Sequence, residues 1–340
     1  MLRKSLIEVS WVYLIQMRII PLNASKYPHN SPMRPSFWRY FPAWFVYAFL
    51  WLIAQLPYRV LLVIGGFLGW LIGSVFQVRK RVISRNIQAC FPDHTVPKQH
   101  QLIKANYTET GYMVSQTLYA FFHRSNRLFN QLTIEGDQHL QDCLDNNQGV
   151  LLVSGHVTAL DVGGRALCQH FPVAGVYRPH KNPVMEYVVT QARTAYAKDM
   201  FSRDRLKSIV KYLKKGGVIW YAPDQDYRRG HSIFSPFFGV PASTITATHQ
   251  LARLSGAKVL FYRVKRITEA PYYQLHISPA LSDFPSQDAQ ADTDRINRGI
   301  EDMVKHAPEQ YLWLHKRFKT RPDGEPDFYS NKDLKAEDRE

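Results

Sequence analysis

The sequence predicts an α/β layered domain, with a central mostly parallel sheet and flanking helices, preceded by an N-terminal membrane anchor. Three observations predict it. From about residue 150 onward, short apolar runs rich in β-branched residues alternate with segments of helical spacing, the pattern of a layered α/β core. Two long uncharged runs, 40–58 and 60–78, stand ahead of that core. A basic cluster, Arg79, Lys80, Arg81 and Arg85, follows them at once.

Residues 1–35 read as an N-terminal extension, apolar from Val9 to Ile20 and then rich in Pro, Asn and Ser; Met33 is an alternative start. Residues 36–78 read as the anchor. The run 40–58 approaches the roughly 20 residues a helix needs to cross a bilayer, and Trp38, Tyr40 and Tyr58 supply interfacial aromatics. This run is expected to be a transmembrane helix. Gly65, Gly66, Gly69 and Gly73 interrupt the second run, which suits a membrane-embedded, interfacial or core segment, or the second arm of a tight hairpin. Positive charge is retained on the cytoplasmic side, so the basic cluster predicts a cytoplasmic domain over 79–322.

Within that domain, 87–122 reads as helical. Strands are expected at 150–153, 173–177, 218–222, 258–264 and 272–278, and helices at 161–170, 183–197, 203–214, 243–255 and 292–306. Residues 323–340 are polar and charged, the composition of a fraying tail.

Forty-three Lys and Arg against twenty-eight Asp and Glu leave a net charge of +15. Anionic partners follow: a phospholipid surface, an acidic carrier protein, or nucleic acid. Cys90, Cys143 and Cys168 are odd in number and widely spaced, which supports neither a zinc site nor a disulfide framework. No Gly-rich phosphate loop is present, and no metal or cofactor is expected.

The chemistry collects after strand 150–153, at His156 and Asp161. On one continuous helix, five positions place two side chains roughly 140° apart. If the helix starts between them, near Thr158, the Asp161 carboxylate can reach the His156 ring, fix its tautomer and raise its basicity. The other ring nitrogen is then free to take a proton from a hydroxyl. Other strand ends carry further candidates. Arg178 suits bidentate binding of a phosphate or carboxylate, or a structural ion pair. Asp224 and Asp226 lack the further ligands of a metal site, so they are expected to order the active-site loop, with Arg178 as a partner. The segment 235–243 joins an aromatic wall to a helix start at Ser243-Thr244, and suits either an acyl-chain groove or an ordinary core loop. Lys207, Lys211, Lys214 and Lys215 form a basic helix face, a solvated surface or a docking site for an acidic carrier. The aromatic and basic stretch 310–322, which contains Arg317, suits single-stranded nucleic acid or a phosphorylated amphiphile at a membrane.

Several ordered blocks together resemble the late acyltransferases of bacterial lipid A biosynthesis. They are His156-Val157-Thr158-Ala159-Leu160-Asp161, Tyr177-Arg178-Pro179-His180, Ala222-Pro223-Asp224-Gln225-Asp226-Tyr227, Pro236-Phe237-Phe238-Gly239-Val240 and Gln310-Tyr311-Leu312-Trp313-Leu314-His315-Lys316-Arg317. The lauroyl-type branch is the most similar, and the match runs from about Ser36 to Pro322. The resemblance implies an inner-membrane enzyme, its catalytic domain cytoplasmic, that moves a fatty acyl chain from acyl carrier protein to a 3-hydroxyacyl hydroxyl of Kdo2-lipid IVA. It implies His156 as general base with Asp161 as its acidic partner, where the lauroyl branch commonly has glutamate. Arg178, Asp224, Asp226 and Arg317 are the expected substrate-binding residues. Membrane lipids are expected partners. A membrane acyltransferase with another lipid acceptor, or a membrane-tethered nucleic-acid-binding protein, are the competing readings; nucleic acid is not the expected partner, since membrane, phosphates and carrier together account for the charge.

Overall fold

The computed structural model describes residues 33–330 apart from 131, 229, 231 and 271. Residues 1–32 of the expected extension 1–35 and residues 331–340 of the expected tail 323–340 lie outside the described residues. The helices are α1 (Phe41–Ile53), α2 (Tyr58–Trp70), α3 (Lys80–Cys90), α4 (Val96–Phe122), α5 (Arg127–Asn130), α6 (Asp137–Asp145), α7 (Leu160–His170), α8 (Pro183–Thr194), α9 (Leu206–Leu213), α10 (Ala247–Ser255) and α11 (Ala289–His306). The strands are β1 (Thr133–Glu135), β2 (Val150–Val153), β3 (Val173–Tyr177), β4 (Met200–Ser202), β5 (Val218–Tyr221), β6 (Ser232–Phe237), β7 (Val240–Ile245), β8 (Lys258–Arg266) and β9 (Tyr273–Ile277).

A seven-stranded sheet in the order β1-β9-β8-β2-β5-β3-β4 forms the middle layer. Among the described residues, its only antiparallel pairing is β8 with β9. β2 is buried on both faces, which is why it reads as an unbroken apolar run rather than an alternating one. Strand side chains point to opposite faces in turn. Leu151 and Val153 therefore join one core with Ile209 of α9, Leu251 of α10 and Ile300 of α11. Val150 and Leu152 join the other with Tyr119 of α4, Ala166 of α7 and Leu61 of α2. The result is a three-layer α/β/α domain, as the alternating pattern predicts.

The two N-terminal apolar runs fold into helices of different length. The apolar run 40–58 breaks at Ala54–Leu56, and Pro57 caps a new helix, so α1 has 13 residues. That is well short of the roughly 20 needed to cross a bilayer. Among the described residues, the helix long and apolar enough to do so is the second, Tyr58–Val75. Its glycines are packing devices. A Cβ at Gly69 would lie 2.5 Å from the Tyr107 carbonyl oxygen, and one at Gly111 of α4 would lie 2.1 Å from the Gly65 carbonyl oxygen. α2 thus lies backbone against backbone along α4, while Val63, Phe67 and Trp70 face outward. Gly111→Ala is expected to force the two helices apart and lower stability by about 1–3 kcal/mol, the usual scale of overpacking. Thermal unfolding of the detergent-solubilised protein checks this.

Two further expectations are corrected. Ser243-Thr244 is not a helix start. It belongs to β7, which pairs antiparallel with β6 around Phe238 and Gly239. Both turn residues have positive φ, 51° and 77°, as a two-residue hairpin turn with matching strand twist requires. The segment 323–330 does not fray, because Tyr329 is buried and its hydroxyl donates to Asn86 Oδ1 at 2.6 Å.

Candidate active site

β2 and β5 are parallel neighbours with Val153 beside Tyr221. His156 and Asp224 each lie three residues beyond those paired ends, so equal offsets deliver them to the same edge of the sheet. His156 Nδ1 meets Asp224 Oδ1 at 2.5 Å, and the His156 backbone N–H donates to Asp224 Oδ2 at 2.8 Å. Tyr311 Oη donates to the same Oδ2 at 2.8 Å. A carboxylate only accepts, so Nδ1 carries the proton and Nε2 keeps a lone pair. The imidazole is a quarter exposed and the carboxylate 1% exposed. Gly155 packs closely behind the pair: a Cβ there would lie 3.2 Å from Ile300 and 3.3 Å from the Tyr311 ring.

The charges hold one another. Burial opposes a charged imidazole, yet the Asp224 carboxylate outweighs it and raises the His156 pKa above its ordinary value. Burial likewise opposes ionisation of Asp224, but His156 and the Tyr311 hydroxyl hold its carboxyl well below the usual carboxylate range. His315, with its ring 5.7 Å from His156, moves the other way, lowered by burial and then by His156.

The expected partner of His156, Asp161, is engaged elsewhere. It lies in the first turn of α7, where Oδ1 accepts from Arg193 Nε at 3.1 Å and Nη2 at 2.8 Å. Its Oδ2 accepts from Thr117 Oγ1 at 3.2 Å. The helix does start between the two residues, at Leu160, but the space beside Nδ1 is filled by the neighbouring strand's carboxylate. Asp161 and Arg193 form a second charged pair, and the Arg193 charge opposes, more weakly than Asp224 favours, protonation of the His156 ring.

A C-terminal strap fixes the loop that carries His156. Thr158 N–H donates to the Gln310 carbonyl at 2.8 Å, and Leu312 N–H donates to the His156 carbonyl at 3.0 Å. The strap is itself clamped by buried amides, since isolated buried backbone carbonyls are costly. Asn106 Nδ2 donates to the carbonyls of Glu309 and Tyr311, and Asn86 Nδ2 to those of Trp313 and His315, all at 2.8 Å. The Gln310 side chain pairs with the Arg266 backbone in both directions, each bond 2.8 Å. Arg79 of the basic cluster donates to the Leu314 carbonyl at 2.8 Å.

The other expected site residues separate. Asp226 accepts from the Thr320 N–H at 2.8 Å and from its Oγ1 at 3.0 Å. Among the described residues neither Asp224 nor Asp226 pairs with Arg178, which is exposed just after β3 at the same edge of the sheet. Arg317 is not available to a substrate: it is buried, and donates to the Ser243 carbonyl at 3.0 Å and Thr244 Oγ1 at 2.7 Å. It joins the strap's continuation to β7. Nor does 235–243 form a groove wall at Phe237, which is fully buried.

The bacterial lipid A biosynthesis acyltransferase family model matches residues 33–320. The chain is 39% identical over 294 residues to the lipid A biosynthesis palmitoleoyltransferase of Escherichia coli strain K12, covering 86% of this chain and 95% of that protein. It is 37% identical over 292 residues to the lauroyltransferase of the same organism, with the same coverage, and 25% identical over 304 residues to its myristoyltransferase, covering 87% of this chain and 92% of that one. The lauroyl and palmitoleoyl enzymes are thus about equally similar to it. With the family matched over nearly the whole described domain, the chain belongs to the bacterial lipid A biosynthesis acyltransferases.

Proposed function

We propose that this enzyme transfers a fatty acyl chain from acyl carrier protein to a 3-hydroxyacyl hydroxyl of Kdo2-lipid IVA, at the cytoplasmic face of a bacterial inner membrane. The observation that carries the reading is the His156–Asp224 pair, an imidazole with one nitrogen locked to a buried carboxylate and the other free. Nε2 takes the proton of the acceptor hydroxyl as its oxygen attacks the thioester carbonyl. The tetrahedral intermediate then expels the carrier thiolate, which recovers the proton from the imidazolium. An ester and a free carrier thiol result, with no acyl-enzyme.

Asp161 enters this scheme through Arg193. A cation whose charge acts on the His156 ring also acts on an oxyanion formed beside that ring, and the Asp161 carboxylate holds it in place. Arg178, exposed at the same sheet edge, is the proposed contact for an anionic group of the acceptor. The apolar outer faces of α1 and α2 supply the membrane contact.

The acidic carrier docks on α9 in this reading. Its Ile209 and Leu213 are buried while Lys207, Lys211, Lys214 and Lys215 are exposed. Lys207→Glu with Lys211→Glu is expected to raise KM for the carrier thioester about tenfold at low salt with little change in kcat, because surface charge acts on encounter rather than on the chemical step. An unchanged KM removes the helix from the docking surface.

The direct test supplies the detergent-solubilised enzyme with carrier thioesters and Kdo2-lipid IVA and weighs the products. One acyl addition supports the proposal. Thioester consumption only with another lipid moves the acceptor, and no consumption with any acceptor overturns the transfer reaction.

A further inference from the structure

A second histidine stands beside the base. The half-buried His315 ring lies edge-on to that of His156, with centroids 5.7 Å apart. The strap sets this spacing through its main chain. Leu312 N–H donates to the His156 carbonyl, His315 N–H donates to the Leu312 carbonyl at 3.1 Å, and the His315 carbonyl accepts from Asn86. The ring is therefore placed without using its own nitrogens.

The loop after β5 decides which of those nitrogens carries the hydrogen. Gln225, next in sequence to Asp224, has its Nε2 3.3 Å from His315 Nε2. An amide nitrogen only donates, so His315 Nε2 accepts and Nδ1 carries the hydrogen. Among the described residues that Nδ1–H has no partner. Burial and then His156 lower the pKa of His315; Asp224 opposes the shift and Arg79 adds to it. The pKa of His156 is raised, so wherever His156 is neutral enough to act as a base, His315 is neutral too.

From these contacts, and resting on the acyl-transfer reading above, we infer that His315 is a second catalytic residue, whose Nδ1–H donates to the thioester carbonyl oxygen as it becomes an oxyanion. Two rings at this spacing can each reach one oxygen of the same tetrahedral carbon through hydrogen bonds of about 2.8 Å. His156 Nε2 takes the acceptor hydroxyl proton, the hydroxyl oxygen bonds to the carbonyl carbon, and the carbonyl π pair moves onto the oxygen that accepts from His315. When that pair returns, the C–S bond breaks and the thiolate takes the proton from His156. The His315 proton never leaves its nitrogen. A hydrogen bond to the oxyanion is stronger than one to the carbonyl, which lowers the barrier. A neutral imidazole can serve as such a donor, adding a directed bond to the charge of Arg193.

His315→Asn, His315→Gln and His315→Phe separate donation from packing. The amide nitrogen of Asn is bonded to Cγ, as Nδ1 is, whereas that of Gln stands one bond further out, near the place of Nε2. kcat and KM with carrier thioester and Kdo2-lipid IVA are measured for each variant, with circular dichroism as the control for folding. His315→Phe keeps an aromatic ring beside His156, yet is expected to lose at least about 100-fold in kcat with little change in KM, the scale of one oxyanion donor. His315→Gln falls with it, while His315→Asn stays within about tenfold of the unsubstituted enzyme because an N–H remains in place. Native turnover in His315→Phe reduces the ring to packing, and a folded His315→Asn as slow as His315→Phe overturns donation from Nδ1; both leave the reaction standing. If His315→Phe fails to fold, the contrast between Asn and Gln decides alone. An unsubstituted enzyme that consumes no carrier thioester overturns the transfer reaction, and the role of His315 with it.

Discussion

His156→Ala is expected to lose at least about 100-fold in turnover, the lower end of what a positioned general base supplies. The domain should remain folded and membrane-bound. The ring is a quarter exposed, and its removal leaves Asp224 with the hydroxyl of Tyr311 and the backbone N–H of residue 156. Turnover of the purified variant, with circular dichroism and membrane fractionation as controls, checks this. Retained turnover would show that the His156 imidazole does not take the acceptor proton.

Asp224→Asn is expected to be nearly as damaging, by about 100-fold, for a different reason. An amide in place of the carboxylate no longer requires Nδ1 to carry the proton, so the ring loses its assigned tautomer and Nε2 its free lone pair. Stability should fall by about 1–3 kcal/mol, because the buried carboxylate now accepts three hydrogen bonds and an amide oxygen replaces only part of that capacity. Steady-state kinetics beside a denaturation curve separates the two effects. A variant with native turnover would reduce Asp224 to a loop-ordering residue.

Much of the central sheet was legible because its strands are short apolar runs ending in loops that carry polar residues. β2, β3, β5, β8 and β9 lie where alternation with helical segments predicts them. β1 and β4 were not legible because three residues are too few to show a period, and the β6–β7 hairpin was not because it mixes Pro, Ser and Thr with apolar residues. The hairpin signal that could have been used is Phe238-Gly239 between two runs of similar length. His156 was legible as the residue at a strand end. Its partner was not, because proximity in sequence favours Asp161 while proximity in space is set by strand order. Parallel pairing of β2 with β5 brings a residue 68 positions away to the ring. Knowing that two strands are neighbours, and that His156 and Asp224 stand at equal offsets from their ends, would have found it. Tyr311, Asn86 and Asn106 act through backbone and carboxylate contacts that no local pattern announces. Arg317 misled for the opposite reason: a basic residue among aromatics reads as a surface contact, whereas here it is a buried tie between two segments.

The claim on which the account turns is that Asp224, rather than Asp161, sets the basicity of His156. The acid limb of the pH dependence of kcat/KM measures it. Neutral imidazole is the active form, and Asp224 raises its pKa, so activity should fall as pH drops through a value above the ordinary histidine pKa. Removing the carboxylate lowers that pKa. The account predicts that the residual activity of Asp224→Asn keeps its acid limb at distinctly lower pH than the unsubstituted enzyme, while Asp161→Asn loses rate with much less movement of the limb. A limb that moves in Asp161→Asn and stays in place in Asp224→Asn would contradict it.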